Sequence, residues 1–211
     1  MIQLPDFEKK WEYENGFYLT CHPTRMSKFI AHYELFNKAT RLPGEIVECG
    51  VFKGASLARF AMFRDLFGNS FSKKIIAFDT FGEFPDPEYE PDEKYKDRFV
   101  ESAGEESISV DQMMDVLENK GCEKNVELVE GDILNTVPEY VEKNPHLKIS
   151  LLNIDTDIYG PAKTILNTFI PRVVGGGVII LDDYGTFPGE TKAVDEYFDK
   201  HDINVNIEKF P

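Results

Sequence analysis

The stretch VECGVFKGAS, residues 47–56, decides how this chain folds. An apolar run ends in an acid, a glycine turn follows, and small residues begin a helix, which is the pattern of a strand, a tight turn and a helix. Further along the chain, VIILDDYG, residues 178–185, reads as a buried strand that ends in two adjacent aspartates. Because an open α/β sheet binds ligands beyond the carboxyl ends of its strands, we expect both stretches to face one crevice.

Outward from these stretches, predicted strands alternate with predicted helices. The patterns of apolar residues predict strands at 45–49, 74–78, 126–129, 149–154, 178–181 and 204–208, and helices at 22–40, 55–67, 109–120, 136–143, 161–169 and 191–200. Such alternation indicates a mostly parallel, doubly wound α/β sheet with helices on both faces. At 211 residues the chain is expected to form a single domain, 1–211.

Two segments stand outside this alternation. Residues 1–43 are predicted to form an N-terminal arm, mobile or docking as far as Gly16, and then a helix. The apolar face of that helix can serve the core or a homo-oligomer: Met26, Phe29, Ile30, Tyr33 and Phe36. Residues 82–109 form a long insertion in an acidic stretch, with 14 acids against three bases between Asp79 and Glu118. Because connections of this length are functional or disordered, it is either a solvated loop or a lid over the site.

The composition narrows the class of partner. The chain carries 38 acids against 23 bases, a net charge of −15, which argues against a nucleic-acid partner because that needs a basic face. Its three cysteines form no metal-binding pair and fit a reduced, cytoplasmic setting. The first residues do not resemble a signal peptide, and no apolar run approaches the ~20 residues of a membrane helix. We therefore expect a small-molecule partner, with neither nucleic acid nor membrane.

The turn after the first strand has the spacing E-x-G-x-x-x-G-x-S, from Glu48 to Ser56. This is not the dinucleotide fingerprint. Gly50 would allow a sharp turn, Gly54 would let the next helix approach a ligand closely, and the helix start offers free N–H groups to an anion. A tight turn with packing glycines explains the pattern equally well.

Two further strand ends extend this motif. Asp79 lies one strand–helix–strand step after Gly50, where an acid can accept hydrogen bonds from both ribose hydroxyls. At the third strand end, Asp132 and the backbone N–H of Ile133 can bind the edge of an adenine. The three strand ends in this order predict an adenosine-type ligand.

Carboxylates follow the fourth and fifth strands. Asp155 and Asp157 belong to a D-T-D run, and Asp182 and Asp183 are adjacent. Oxygen ligands of this kind suit Mg²⁺, Mn²⁺ or Ca²⁺ rather than zinc, and clustered carboxylates repel unless a cation lies between them. We expect Asp155, Asp182 and Asp183 to bind the metal and Asp157 to cap the helix that follows.

Six stretches in this order resemble the macrocin O-methyltransferase family: VECGVFKGAS, AFDTFGEFPDP, GDI, NIDTDIYGPAKTIL, PRVVGGGVIILDDYG and KAVDEYF. These are class I, S-adenosylmethionine-dependent, divalent-metal-dependent enzymes that methylate sugar hydroxyls on macrolides and related glycosides. The resemblance covers nearly the whole chain. It implies a Rossmann-like class I methyltransferase fold with an N-terminal helical arm and an acidic lid.

The resemblance also implies a role for each candidate residue. Asp79, with Thr80 beside it, would bind the ribose, and Asp132 and Ile133 would border the adenine. The three metal candidates would bind Mg²⁺ or Mn²⁺, and Asp155 would also act as the general base toward a hydroxyl of a sugar, glycoside or other small diol. The methionine end of the cofactor would be held by Glu48, Gly50, Val51, Gly54, Ala55 and Ser56.

Two alternatives remain open at this point. One is a non-catalytic cofactor-binding or scaffold protein of the same fold, which would need no metal cluster. The other is a Mg²⁺-dependent phosphatase of the haloacid-dehalogenase type, which also has a D-x-D run after an apolar strand. That run belongs near the start of a phosphatase chain, whereas only 56 residues follow Asp155 here.

Overall fold

The computed structural model describes residues 2–203, 205 and 207–210. Five strands form one sheet in the order β3-β2-β1-β4-β5, and all four neighbouring pairs are parallel. The chain runs outward from β1 to β3 and then crosses to the other side of β1, so the order reverses between β1 and β4. Ligands bind at such a reversal. The strands are β1 (Glu45–Cys49), β2 (Ile75–Asp79), β3 (Val126–Glu130), β4 (Ile149–Ile154) and β5 (Val173–Leu181).

Helices cover both faces of the sheet, which confirms the predicted doubly wound α/β fold. Alternate strand residues point to opposite faces: Ile46 and Ile75 join the core beneath α2, α3 and α5, whereas Val47 and Ile76 join the core beneath α6, α7 and α8. The helices are α1 (Lys10–Thr20), α2 (Pro23–Thr40), α3 (Ala55–Phe67), α4 (Glu90–Ala103), α5 (Val110–Lys120), α6 (Ile133–Lys143), α7 (Tyr159–Phe169) and α8 (Pro188–Lys200).

Two helices lie where the sequence patterns predicted none. Helix α1 occupies the predicted arm and contains no buried residue. Helix α4 lies inside the insertion, where Pro91 suggested a loop. Proline is tolerated in the first turn of a helix, which is where Pro91 lies, so the residue begins α4 rather than preventing it.

The C-terminal end differs from its prediction. A last strand was expected at 204–208, but Asn204 and Asn206 lie outside the described residues, and Val205, Ile207 and Glu208 belong to no strand. Among the described residues, no helix is both long and apolar enough to cross a membrane.

Candidate active site

A cleft opens at the carboxyl ends of the strands, beside the reversal between β1 and β4. Its walls come from the turns after four strands and from the insertion. The residues that line the cleft include Gly50, Asp79, Thr80, Asp132, Ile133 and Asp155. The first quoted stretch therefore faces the cleft through Gly50, whereas no residue of the second stretch, 178–185, is among the residues that line it.

Gly50 lets the end of β1 lie directly against the start of the turn after β4. It has φ of +91°, and a Cβ at this position would lie 1.7 Å from the backbone oxygen of Asp155. A side chain is therefore excluded by the close approach of the two backbones as well as by the left-handed conformation. This contact joins the glycine motif to the first of the metal candidates.

Asp79 holds the glycine turn in place. Its Oδ2 accepts hydrogen bonds from the backbone N–H groups of Val51, at 2.7 Å, and Phe52, at 3.1 Å. Its Oδ1 accepts from the N–H of Phe81, at 2.7 Å, and from Ser107 Oγ, at 3.0 Å. Because both oxygens already accept hydrogen bonds from the chain, ribose hydroxyls would have to share Asp79 with the Ser107 hydroxyl.

The ten predicted cofactor residues divide into two groups. Five of them line the cleft: Gly50, Asp79, Thr80, Asp132 and Ile133. Asp132 also caps α6, because its Oδ1 accepts a hydrogen bond from the N–H of Leu134 at 2.9 Å. The other five lie outside that lining, in β1, in the turn or in the first turn of α3: Glu48, Val51, Gly54, Ala55 and Ser56.

Gly54 is explained by packing against a helix. It has φ of +80°, and a Cβ added here would lie 2.5 Å from the sulfur of Met113 on α5. Both the left-handed backbone and the close contact with α5 favour glycine at position 54. This is the packing explanation that the sequence analysis left open. No side chain caps the N-terminus of α3. The first backbone N–H groups of this helix therefore donate no hydrogen bond to a capping side chain.

Glu48 is a buried carboxyl group next to the cleft. It is fully buried, and its Oε1 accepts a hydrogen bond from Ser56 Oγ, whereas Oε2 has no partner among the described residues. Burial raises the pKa of Glu48 to about 8, against a smaller opposing effect of the Ser56 hydrogen bond. A buried acid with one unpaired oxygen is suited to a positively charged ligand group.

The metal candidates lie together as predicted from the sequence. One carboxylate oxygen from each of Asp155, Asp182 and Asp183 lies within 4.8 Å of the others. Asp183 is buried, and its Oδ2 has no hydrogen-bond partner among the described residues. Glu190, at 0% exposure, accepts a hydrogen bond from the backbone N–H of Asp183 at 3.2 Å.

The prediction that Asp157 caps α7 is wrong. Ile158 occupies the cap position, and its own side chain makes no capping hydrogen bond. Asp157 has φ of +63°, a left-handed conformation, and its carboxyl group lies in the cleft and interacts with that of Asp183. Asp157 therefore joins a larger group of acids, called the acidic centre below: Asp155, Asp157, Asp182, Asp183 and Glu190.

Four carboxyl groups of the acidic centre have a raised pKa. Burial is the main cause for Asp155, Asp157, Asp183 and Glu190, and the charges of neighbouring carboxylates raise each pKa further. This arrangement favours either protons or a cation between the acids. The geometry is therefore that of a site that attracts positive charge.

Sequence reasoning missed the basic residues that face this centre. On α2, Lys28 Nζ lies 2.7 Å from Asp182 Oδ2 and 3.4 Å from Asp155 Oδ2. Burial alone would lower the pKa of Lys28, but the charges of Asp155 and Asp182 outweigh it and raise the pKa. One helical turn later, His32 is buried and hydrogen-bonded to Arg59, and burial and the Arg59 charge lower its pKa to about 3. Lys28 and His32 are four residues apart on α2, so they lie on one face of the helix. This spacing was the sequence feature that could have identified them.

The insertion forms one wall of the cleft and is attached to the first turns of α7 and α8. Phe84 and Phe99 line the cleft and their rings lie 5.6 Å apart. Asp92, on α4, is fully buried and accepts hydrogen bonds from the N–H groups of Tyr159 and Gly189, in the first turns of α7 and α8. Whether this segment opens and closes as a lid stays a prediction.

Comparison with known proteins identifies the family of the chain. The family described as Macrocin-O-methyltransferase (TylF) matches residues 19–210 of the chain. Mycinamicin III 3''-O-methyltransferase from Micromonospora griseorubida is 26% identical over 170 residues, which cover 79% of this chain and 65% of that relative. A tetracenomycin-C 4'-O-methyltransferase from Streptomyces olivaceus is 25% identical over 173 residues, which cover 80% of this chain and 63% of that protein. The chain thus spans somewhat less than two thirds of these relatives.

Solved structures show the same fold. The calicheamicin methyltransferase CalS11 matches with a TM-score of 0.72 at 28% identity, over 89% of this chain and 77% of its own. The O-methyltransferase NovP matches with a TM-score of 0.75 at 22% identity, over 87% of this chain and 76% of its own, and that likeness concerns the fold alone.

Proposed function

The chain belongs to the macrocin-O-methyltransferase family, and from this premise we propose that it is an S-adenosylmethionine-dependent, divalent-metal-dependent O-methyltransferase. The observation that carries the proposal is the position of Asp155, which lines the cleft and also belongs to the three-carboxylate cluster. A cofactor in the cleft and an acceptor bound at the cluster would therefore be neighbours, as methyl transfer requires.

Groups in the cleft lining and beside it suit each part of the cofactor. S-adenosylmethionine would supply a methyl group on a positively charged sulfur. The uncapped start of α3 would offer N–H groups to the methionine carboxylate, and the buried Oε2 of Glu48, which has no partner in the part of the chain that the structure describes, would accept from the methionine ammonium. Asp79 would accept hydrogen bonds from the ribose, and Asp132 with Ile133 would border the adenine.

The cluster fits a divalent ion. Its three candidate ligands are carboxylates, which suit Mg²⁺ or Mn²⁺, and Asp183 Oδ2, which has no partner among residues 2–203, 205 and 207–210, is a buried acceptor that a cation would satisfy. Such an ion would supply a charge that binds two neighbouring acceptor oxygens and lowers the pKa of the hydroxyl. Asp155, at the junction of cleft and cluster, would accept the hydroxyl proton.

The proposed acceptor is a hydroxyl of a sugar or glycoside. Two relatives are named for methylation at sugar positions, a 3'' position in mycinamicin III and a 4' position in a rhamnosyl tetracenomycin. Neighbouring sugar hydroxyls form a diol, which can offer two oxygens to one ion. Other small diols share this geometry and belong in the same acceptor screen.

The two other functions fit the structure less well. A phosphatase of the haloacid-dehalogenase type would leave the glycine turn without a role, and family membership argues against it. A non-catalytic scaffold would not require three converging carboxylates beside the cleft. Methyl transfer itself distinguishes the scaffold from the enzyme.

The proposal is tested by an acceptor screen with methyl-labelled S-adenosylmethionine. Glycosides, nucleotide sugars and catechols would be incubated with the protein in MgCl₂ or in excess EDTA. We expect label on at least one diol-bearing acceptor in MgCl₂ and a loss of at least tenfold in EDTA. Transfer that EDTA does not reduce would contradict the metal requirement, and no transfer to any acceptor would favour the scaffold.

A further inference from the structure

Lys28 places an ammonium group inside the proposed ion site. Its Nζ lies 2.7 Å from Asp182 Oδ2 and 3.4 Å from Asp155 Oδ2, so it bridges two of the three metal candidates. These contacts join residues 154 and 127 positions apart in the chain, which shows that the fold brings α2 to this place. Lys28 thus contacts two of the three carboxyl groups that a divalent ion would use.

The ammonium compensates only part of the local charge. The acidic centre contains five carboxyl groups, and Lys28 contacts two of them. Asp183 keeps a buried oxygen without a partner among the described residues. Arg59, the other nearby cation, is bonded to His32 instead. A divalent ion carries twice the charge of an ammonium and can bind three carboxylates at once, so the two cations are unequal competitors for one place.

Lys28 can leave this place without a change of fold. Its side chain is 32% exposed, which gives the ammonium a route to water. Four flexible methylene groups connect the ammonium to α2, so a change of side-chain rotamer is sufficient. The helix is fixed independently by buried residues further along, including Phe36 and Ala39.

We propose that Lys28 is the internal counter-cation of the ion-free protein and that a divalent ion displaces it from Asp155 and Asp182. This inference rests on the metal-dependent function proposed above. The competition weakens the apparent affinity for the ion, and it keeps the acidic centre partly neutralised whenever the ion is absent.

Metal titration of Lys28→Met tests the competition. Calorimetric titration with MgCl₂ and MnCl₂ should show affinity at least about tenfold tighter than in the wild type, because the competing ion pairs are gone. Lys38→Met is the matched control, since it removes the same charge from an exposed lysine of the same helix. It should bind the ions like the wild type.

The outcomes separate this inference from the proposed function. If the wild type and Lys28→Met both fail to bind either ion, the metal-dependent function fails, and this inference with it. If the wild type binds but Lys28→Met binds equally or more weakly, Lys28 is not a competitor, whereas the metal site stands. If Lys28→Met does not fold, amine labelling of the wild type decides: MgCl₂ should increase the labelling rate of Lys28 and leave that of Lys38 unchanged, and an unchanged rate at Lys28 would overturn the inference.

A second, independent inference concerns the surface of α2 and α3. Among the described residues, 15 large apolar side chains are exposed, and 11 of them lie between Trp11 and Phe71. We call the following six the N-terminal apolar surface: Phe29, Ile30, Met62, Leu66, Phe67 and Phe71. Exposed apolar residues concentrated in this way mark an interaction site. Of the helix face predicted from the sequence, Phe36 is buried in the core, which leaves Phe29 and Ile30 for this surface.

The distribution of charge indicates which partner fits. Residues 1–71 carry nine bases and eight acids, a net charge of +1, so the remaining 14 bases and 30 acids give −16. Two copies that meet through the N-terminal part therefore keep their strongly negative parts apart. Helix α1, which precedes this surface, has 11 residues and none of them is buried, although helices this short are marginal on their own in water.

We infer that a second copy of this chain covers the N-terminal apolar surface. Sedimentation equilibrium should show a dimer or higher oligomer for the wild type and a shift to monomer for the double variant Leu66→Glu, Phe71→Glu. Both side chains are about three-quarters exposed, so the folded monomer should tolerate the change. A wild type that stays monomeric at high concentration, or a folded variant that associates like the wild type, would overturn the inference.

Discussion

Replacement of Asp92 tests whether the insertion is fixed to the rest of the fold. The carboxyl group is fully buried, with Oδ1 accepting from the N–H of Gly189 at 2.7 Å and Oδ2 from the N–H of Tyr159 at 2.9 Å. Those N–H groups belong to the first turns of α8 and α7, and neither helix has a side-chain cap of its own at the cap position. Asp92 therefore binds the starts of two helices from within a third.

The structure gives the expected magnitude. A hydrogen bond to a charged group contributes about 1.5–3 kcal/mol, so Asp92→Ala, which removes two, should lower the free energy of unfolding by about 3–6 kcal/mol. Asp92→Asn has nearly the same shape but places an NH₂ group against one of the two N–H groups. It should therefore lose about one hydrogen bond, or about 1.5–3 kcal/mol.

Urea denaturation of the folded variants measures these losses, and Asp86→Asn is the control. Asp86 lies in the same insertion, but its side chain is 99% exposed and forms an ion pair with Lys96, so the change should leave the free energy of unfolding close to that of the wild type. Limited proteolysis within 82–109 should also be faster in Asp92→Ala than in the control. If Asp92→Asn is as stable as the wild type, the two hydrogen bonds do not hold the insertion, and the reasoning is refuted.

Three further predictions concern the site. Asp155→Asn should leave S-adenosylmethionine binding within about threefold and abolish methyl transfer, so full activity would contradict its role at the ion site. Asp79→Ala should weaken cofactor binding at least about tenfold in calorimetry, because charged hydrogen bonds are lost. Ser107→Ala should have a much smaller effect. Equal effects of the two changes would show that Asp79 does not bind the ribose. Burial raises the pKa of Glu48 from 4.5 to about 8, so the folded state retains a proton that the unfolded state has lost, and stability falls as pH rises across this window. Urea unfolding of the ion-free protein should therefore show Glu48→Gln gaining up to about 1.4 kcal/mol over the wild type per pH unit, and parallel pH profiles would rule this out.

Local patterns in the sequence were sufficient to find each strand of the sheet, although β5 begins at Val173 rather than at Val178 as predicted. The predicted bounds of β1, α3 and β4 agree with the structure, because each combines a run of apolar residues with clear ends. Other helices begin earlier than predicted: α6 begins at Ile133 because Asp132 caps it there. Helix α4 was missed because its composition is acidic and it begins next to Pro91, and a single buried acid, Asp92, holds it in place.

The sequence was sufficient to predict those residues of the candidate site that lie at the ends of strands. Residues at the ends of parallel strands meet at one edge, and Asp155, Asp182 and Asp183 accordingly lie together. Lys28 was not predictable in this way, because its approach depends on how α2 packs across the sheet, 127 residues away from Asp155 in sequence. Asp157 was assigned to the wrong role, because nothing local to the D-T-D run shows that its backbone is left-handed and directs the carboxyl group into the cleft.

The central claim is that the cleft binds the cofactor and the carboxylates beside it bind an ion. Calorimetric titration of S-adenosylhomocysteine, with and without MgCl₂, into the wild type and Asp182→Ala tests it most directly. We predict roughly micromolar binding of S-adenosylhomocysteine to both proteins, and binding of Mg²⁺ by the wild type that Asp182→Ala abolishes. If S-adenosylhomocysteine fails to bind under either condition, the methyltransferase account is contradicted.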